Sequence, residues 1–274
     1  MQKIKDRYRK ILREETGLVH HKPHGLGLEI ALAYPNTYYI GMSNLGFQSV
    51  YQLFNSHNGI ACERVFVPDP DIEKELERTR ATLVTLESET PVSEFDVLAI
   101  SVSFETDYLN IPKLLRLSKI PVKASERNEW HPLVILGGAA AFLNPEPVAD
   151  FVDVVCVGEG EVLVPSLIKV MNEAESREDL LARLTREPGF YVPKFYDVHY
   201  HEDGSLGQII PTGGAPRRVF TMRNPMRKQE GNGKFDDAFI PASDILTDNT
   251  EMSGRYLMEI SRGCSMGCRF CWAG

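Results

Sequence analysis

Val97-Leu-Ala-Ile-Ser-Val-Ser103 decides the fold. It carries almost no polar side chain on either face, and strands of that kind lie inside parallel sheets covered by helices on both sides. The neighbouring sequence repeats this grammar. Leu28–Leu32 is an apolar strand that runs into Tyr34-Pro-Asn-Thr37, and Ser43-Asn44 can cap a helix reaching about Phe54. Within that helix Leu45, Val50, Leu53 and Phe54 recur at helical spacing. Cys62–Val67 reads as the next strand, and Pro68-Asp-Pro-Asp71 opens a charged helix to about Arg80. After the quoted strand come a helix over Tyr108–Leu117 and a strand, Leu133–Leu136, ending in Gly137-Gly138. A further strand, Asp153–Val157, ends in Gly158-Glu-Gly-Glu161 and precedes a helix to Glu173. Such alternation predicts a doubly wound, parallel α/β sheet of Rossmann type. Ligands of these sheets lie beyond the carboxyl ends of the strands. The loops of interest are therefore Tyr34–Asn44, Ser101–Asp107, Gly137–Asn144 and Gly158–Glu161.

The rest of the chain divides around this core. Residues 1–20 form a basic helix or arm, with six Lys or Arg among the first thirteen residues against one Asp. A solvated helix face is the plain reading of that run, ahead of nucleic-acid binding. The α/β domain spans 21–188. A connector, 189–250, contains a hairpin in which Tyr191–His201 and Leu206–Ile210 are joined through Asp203-Gly204. It also carries Arg217, Arg218, Arg223, Arg227, Lys228 and Lys234, a cationic stretch suited to a solvated linker or to steering an anionic substrate. Residues 251–274 begin another domain, with Tyr256–Ser261 predicted as its first strand. The whole is an ordinary globular composition, 43% hydrophobic and 25% charged over 274 residues. Its net charge of −8 argues against general nucleic-acid coating. No apolar run is long enough for a membrane span, and the charged N-terminus lacks the apolar core of a signal peptide. A cytoplasmic location is expected.

The five cysteines are of two kinds. Cys62 and Cys156 sit singly in apolar runs and read as small buried hydrophobes. Cys264-Ser-Met-Gly-Cys268-Arg-Phe-Cys271 packs three thiols into eight residues, which in a reducing compartment argues for metal. Thiolates are soft ligands for zinc and iron–sulfur clusters. A structural zinc needs four protein ligands, and no His lies within fifty residues of these three Cys. A [4Fe–4S] cube held by three Cys leaves one iron open. The competing reading is a zinc knuckle or incidental thiols.

Cys-x-x-x-Cys-x-x-Cys, with Arg262-Gly263 before the first Cys and the aromatic Phe270 before the last, resembles the radical S-adenosylmethionine (radical SAM) superfamily. The resemblance implies that Cys264, Cys268 and Cys271 hold three irons of a [4Fe–4S] cluster and that SAM chelates the fourth. An external donor's electron would cleave SAM to a 5′-deoxyadenosyl radical, with Phe270 near the adenine. Tyr256–Ser261 would be the first strand of an incomplete (β/α) barrel with the cluster loop at its carboxyl end. Upstream, Gly137-Gly138, Asn144-Pro-Glu-Pro147, Val157-Gly-Glu-Gly-Glu161 and Asn44-Leu-Gly-Phe-Gln-Ser-Val-Tyr-Gln-Leu53 resemble the cobalamin-binding (B12-binding-like) radical SAM class. Within it the likeness is to an uncharacterised family of radical SAM proteins. Ser101, Ser103 and Thr106, with Gly137 and Gly138, are the candidate contacts to a nucleotide or corrinoid tail.

Two departures from the pattern bear on function. Cobalamin domains with a lower-ligand histidine carry Asp-x-His-x-x-Gly after the first strand, whereas Tyr39-Ile-Gly-Met-Ser-Asn-Leu-Gly46 has no His, and His57 reads as a surface residue. Cobalamin without a histidine ligand and a fold relic that binds a substrate or partner remain equal expectations. The sequence also ends three residues after Cys271, so it reads as the N-terminal portion of a longer enzyme, inactive alone. Residues 250–274 would then be poorly ordered or paired with the first domain. Glu159 and Glu161 read as helix-start carboxylates, with an interface to the barrel as the second reading. The rival functions are a stand-alone corrinoid or small-ligand module, and an RNA-contacting scaffold. An unknown substrate, an electron donor and a companion subunit are the expected partners.

Overall fold

The computed structural model describes residues 2–18, 22–25, 27–224 and 239–271. Helix α1 is Gln2–Glu14, followed by the two-residue strand β1, Thr16–Gly17. Strand β2 (Leu28–Tyr34), helices α2 (Tyr38–Met42) and α3 (Leu45–Ser56), strand β3 (Ile60–Phe66) and helix α4 (Pro70–Thr79) come next. Strand β4 is Val97–Ser101, α5 Ile111–Leu117, β5 Leu133–Gly137, α6 Ala139–Leu143 and β6 Val154–Cys156. Helices α7 (Gly160–Glu173) and α8 (Arg177–Leu184) precede β7 (Phe190–Tyr191), β8 (Tyr196–Tyr200), β9 (Leu206–Pro211) and β10 (Ile245–Leu246). No described helix is long and apolar enough to cross a membrane.

The main sheet has the order β3-β2-β4-β5-β6-β7, with β2 to β6 parallel and β7 antiparallel. All five residues of β4 are buried, as a strand covered on both faces requires. Counted among the parallel strands alone, the order is 2-1-3-4-5, that of flavodoxin-like doubly wound sheets. It reverses between β2 and β4, and the loops leaving those two strands therefore diverge and open a crevice.

Some elements differ from the sequence expectation. Tyr108–Leu117 is not one helix: Glu105–Asn110 is 3₁₀ and the α-helix starts at Ile111, where Pro112 supplies no N–H and suits a first turn. Helix α8 was not anticipated; Ser176 caps it by accepting from Asp179 N at 3.2 Å, and only Leu180, Leu181 and Leu184 are buried. The hairpin forms as β8–β9 but begins at Tyr196, since Tyr191 pairs with Val155 in the main sheet; Asp203 Oδ1 accepts from Ser205 N and Gly204 has φ 80°. Tyr256–Ser261 is not a strand. It makes one antiparallel bridge, Ala242 with Met258, flanked by Ser243 N to Leu257 O (2.8 Å) and Glu259 N to Pro241 O (2.9 Å). A barrel strand needs hydrogen-bonded neighbours along its edges, and among the described residues this segment has only that short one. Arg227, Lys228 and Lys234 lie outside the described residues.

The basic arm is more than a solvated face. Ile4, Tyr8 and Ile11 of α1 are buried, while Lys3 pairs with Asp71 (2.9 Å), Arg7 with Asp69 (2.7 Å) and Arg9 with Glu89 (2.7 Å). Behind it lies a sealed ion network. Arg64 of β3 is 0% exposed; its Nη1 and Nη2 donate to Glu15 Oε1 and Oε2 at 2.7 and 2.8 Å, and its Nε donates to Glu87 Oε1 at 2.6 Å. Tyr38 Oη adds a 2.6 Å bond to Glu15, and the guanidinium carbon lies 5.2 Å from the Tyr51 ring centroid. A second node holds β5 to β6: Asp153 Oδ2 accepts from Arg127 Nη1 (2.6 Å), Arg177 Nη2 (2.8 Å) and Val134 N (2.7 Å).

His24 lies between Glu63 (Nε2 to Oε1, 2.8 Å) and Glu29 (Nδ1 to Oε2, 3.1 Å). Partial burial disfavours its charge, but the two carboxylates outweigh that and raise its pKa above the usual 6.5. A raised folded-state pKa stabilises the fold below the unfolded value, and the contribution is lost as pH rises through the folded one. His24→Gln is expected to remove this part of the pH dependence of the urea midpoint just above pH 6.5. An unchanged slope would show that His24 is not its source.

Candidate functional site

A cavity of about 1150 Å³ opens at the carboxyl edge of the sheet. Its floor is the sheet itself, through Leu32, Ala99, Ile100 and Ile135. Its walls are α3, with Val50, Leu53 and Phe54, and α7, with Leu163, Val164 and Leu167. All four loops singled out in the sequence reach it, through Asn44, Ser101, Ser103, Gly137, Gly138 and the Gly158–Glu161 turn. The result is an apolar throat with a polar rim, the usual form of a small-molecule site.

The rim is set by backbone geometry. Ser101 closes β4 in register with Gly137 of β5. Asn44 serves twice: its Oδ1 accepts from Phe47 N (2.9 Å) to cap α3, and its Nδ2 donates to Ser103 Oγ (2.8 Å) across the switch point. Gly138 sits at φ 99° and ψ 175°, a region open essentially to glycine alone. A Cβ there would stand 2.4 Å from Val102 O. Gly138→Ala is expected to destabilise the chain by about 1–3 kcal/mol from backbone strain alone, read as a lower urea midpoint. A midpoint equal to that of Gly137→Ala, whose added Cβ meets nothing closer than 3.8 Å, would refute this.

Thr106 is exposed and lies outside the cavity lining. The chain turns into the 3₁₀ helix at Glu105, which sends Asp107 inward instead. Asp107 accepts from Asn36 Nδ2 at 2.8 Å, and burial pushes its carboxyl pKa up against the lowering effect of that bond. Its other oxygen has no hydrogen-bond partner among the described residues. The sequence signal for this pair was only the general rule that carboxyl-edge loops matter. Cys62 is a buried hydrophobe as expected, whereas Cys156 is only half-buried and lines the cavity; burial raises its thiol to about 12. His57 caps the end of α3, its Nδ1 2.8 Å from Leu53 O.

The cysteine loop crosses the mouth of the cavity. Cys264 and Ser265 line it; Cys268, Phe270 and Cys271 are exposed and do not. The loop turns at Gly263 (φ 85°) and Gly267 (φ 58°), and Cys271 N donates to Cys268 O at 3.0 Å. Among the described residues no three His, Cys, Asp or Glu side chains are arranged as a metal site. The donor set nevertheless suits a soft metal centre: three accessible thiols on one loop, none packed into the core. Just before the loop, Arg262 reaches back to Glu159 (3.3 Å) and Glu161 (3.0 Å) at the start of α7. Neither carboxylate was predicted to have that partner, and Glu159 does not cap its own helix.

Fold and site together define an α/β module with a large cavity and a three-cysteine loop at its carboxyl edge. Residues 46–193 match the family of radical SAM proteins, N-terminal, and since this is more than half of the chain, the chain belongs to that family. Over 215 residues it is 25% identical to the uncharacterized protein MJ0966 of Methanocaldococcus jannaschii, a match over 78% of this chain and 38% of that relative. The chain thus spans well under half of the relative's length. Its fold is also similar to the radical S-adenosylmethionine methyltransferase TsrM from Kitasatospora setae, solved with tryptophan substrate and the SAM analogue aza-SAM. That likeness covers 68% of this chain and 31% of TsrM at 14% identity and a TM-score of 0.36, and carries no argument about cofactors.

Proposed function

We propose that this chain is the N-terminal portion of a radical SAM enzyme, with Cys264, Cys268 and Cys271 as ligands of a [4Fe–4S] cluster and the α/β cavity as the site of a second ligand. The observation that carries this reading is that Cys264 lines the same cavity as Ser101 and Gly138. When bound, the cluster supplies the electron for reductive cleavage of SAM. The chain's own residues do the rest: the three thiolates anchor the irons, and Phe270 offers an aromatic face for the adenine. An external electron donor, a substrate and a companion subunit complete the scheme.

For the cavity, cobalamin is the first candidate. Its nucleotide tail would enter between α3 and α7, with the Ser101, Ser103 and Asn44 polar groups and the Gly137-Gly138 backbone at the entrance. The absence of a histidine in Tyr39–Gly46 calls for a mode without a lower-ligand histidine from that segment. A second reading is a binding module whose cysteines stay idle; it is favoured by the sheet floor and the α3 and α7 walls, which do not depend on the cysteine loop.

The test is a titration of the anaerobically reconstituted chain with hydroxocobalamin, reading absorbance of the gel-filtered protein together with its iron content. Iron and corrinoid in equal occupancy support the proposal. Corrinoid without iron supports the binding module. Iron without corrinoid assigns the cavity to another ligand, and neither overturns both. Val50→Phe, which narrows the throat, is expected to weaken corrinoid binding about tenfold or more.

A further inference from the structure

The Gly158-Glu-Gly-Glu161 turn is used twice over. Its backbone takes up the chain near Met222: Met222 N donates to Val157 O (3.0 Å) and Glu159 N to Met222 O (2.9 Å). Only glycine serves at 158, where φ is 147° and a Cβ would stand 2.4 Å from Met222 O. The side chains turn elsewhere. Glu159 Oε2 accepts from Asn224 N at 2.8 Å, and its Oε1 faces Arg262 Nη1 at 3.3 Å. Glu161 Oε1 accepts from Arg262 Nη2 at 3.0 Å. The remaining edge of the guanidinium is held locally, with Nε donating to Glu259 Oε1 (2.7 Å) and Nη2 to Oε2 (2.8 Å).

Three features make this more than a surface ion pair. The Glu159 and Glu161 side chains are only 16% and 10% exposed, so screening by water is reduced. A planar guanidinium gripped by several carboxylates is fixed in direction as well as position. Arg262 is also the last side chain among the described residues to bond the α/β body before Cys264.

We propose that Glu159 and Glu161 are positioning residues, a paired-carboxylate clasp that captures Arg262 and seats the cysteine loop at the cavity mouth. That the loop carries a cluster rests on the reading above; the clasp itself does not.

Hydrogen–deuterium exchange of the full 274-residue chain tests it. In Glu159→Gln/Glu161→Gln, amides of 256–271 are expected to exchange roughly fivefold faster or more, while β2, β4 and β5 keep their protection. Salt near ~1 M is expected to have the same effect on the unaltered chain. Glu259→Gln, which removes a partner travelling with the loop, leaves the protection close to that of the unaltered chain. Arg262→Glu loosens the segment, and adding Glu161→Arg recovers protection, a rescue that loss of packing would not give. Should the double glutamine variant fail to fold, Arg262→Gln replaces it, since that side chain lies outside the core. Unchanged exchange in either variant with an intact sheet would overturn the clasp, as would loosening by Glu259→Gln equal to that of the pair. Iron content on the same samples reports separately on the cluster: low iron in the unaltered chain with an operative clasp counts against the cluster alone.

Discussion

Cys268→Ala is expected to lower iron and sulfide in the anaerobically reconstituted chain from a full cluster to background, while leaving the thermal midpoint of the cluster-free chain unchanged. The two halves of this expectation have separate causes. Cys268 is exposed and packs into no core, so its removal costs little folding energy. In the proposed ligand set it is one of three on a single loop; Cys62 is buried, and Cys156, although it lines the cavity, has its thiol pKa raised to about 12 by burial, which disfavours the thiolate a metal needs. Cys264→Ala and Cys271→Ala are expected to behave alike. Cys62→Ala reverses the pattern: iron is retained, and stability falls by about 1 kcal/mol for a lost buried group. Measuring iron per chain across these variants settles the ligand set, and full iron in Cys268→Ala would remove that residue from it.

Arg64→Leu is expected to destabilise the chain by about 3–5 kcal/mol in urea unfolding, because it strands two buried carboxylates. Glu15 and Glu87 are 0% and 1% exposed at their side chains and share the one guanidinium. Replacing all three by apolar residues of similar volume is expected to recover much of the loss, since each ion had first to be stripped of water. If the single and triple variants lost stability equally, shape rather than charge would be what the site demands.

The parallel core was legible because β4 is apolar on both faces, and few other structures bury such a strand. The loops around the cavity followed from the carboxyl-edge rule once the strands were placed. What escaped was long-range pairing of charges. The partners of Arg7 and Arg9 lie 62 and 80 residues away, and those of Arg262 on α7 lie 101 residues and more away. Nothing local marks such pairs, so α1 read as solvated and Glu159 and Glu161 as ordinary helix-start acids. Thr106 was misplaced because a 3₁₀ turn advances the chain differently from an extended loop. Tyr256–Ser261 has a strand-like pattern, but a strand is completed by its neighbours and not by its own side chains. Cysteine spacing pointed to a set of soft donors on one loop; the relative placement of thiols on an exposed loop is not encoded by spacing, and metal binding itself can organise such a loop.

The Glu15–Arg64–Glu87 network also fixes an order of events during synthesis. Residue 15 leaves the ribosome long before residue 87, by about 4–14 s at translation rates of ~5–20 residues per second. Until then the guanidinium has at most one of its two carboxylates, and burying it with the Nε donor unpartnered is unfavourable. The N-terminal helix is therefore made first and locked last. Throughout that interval Lys3, Arg7 and Arg9 also lack the acidic partners that hold the helix in the folded chain, Asp71, Asp69 and Glu89.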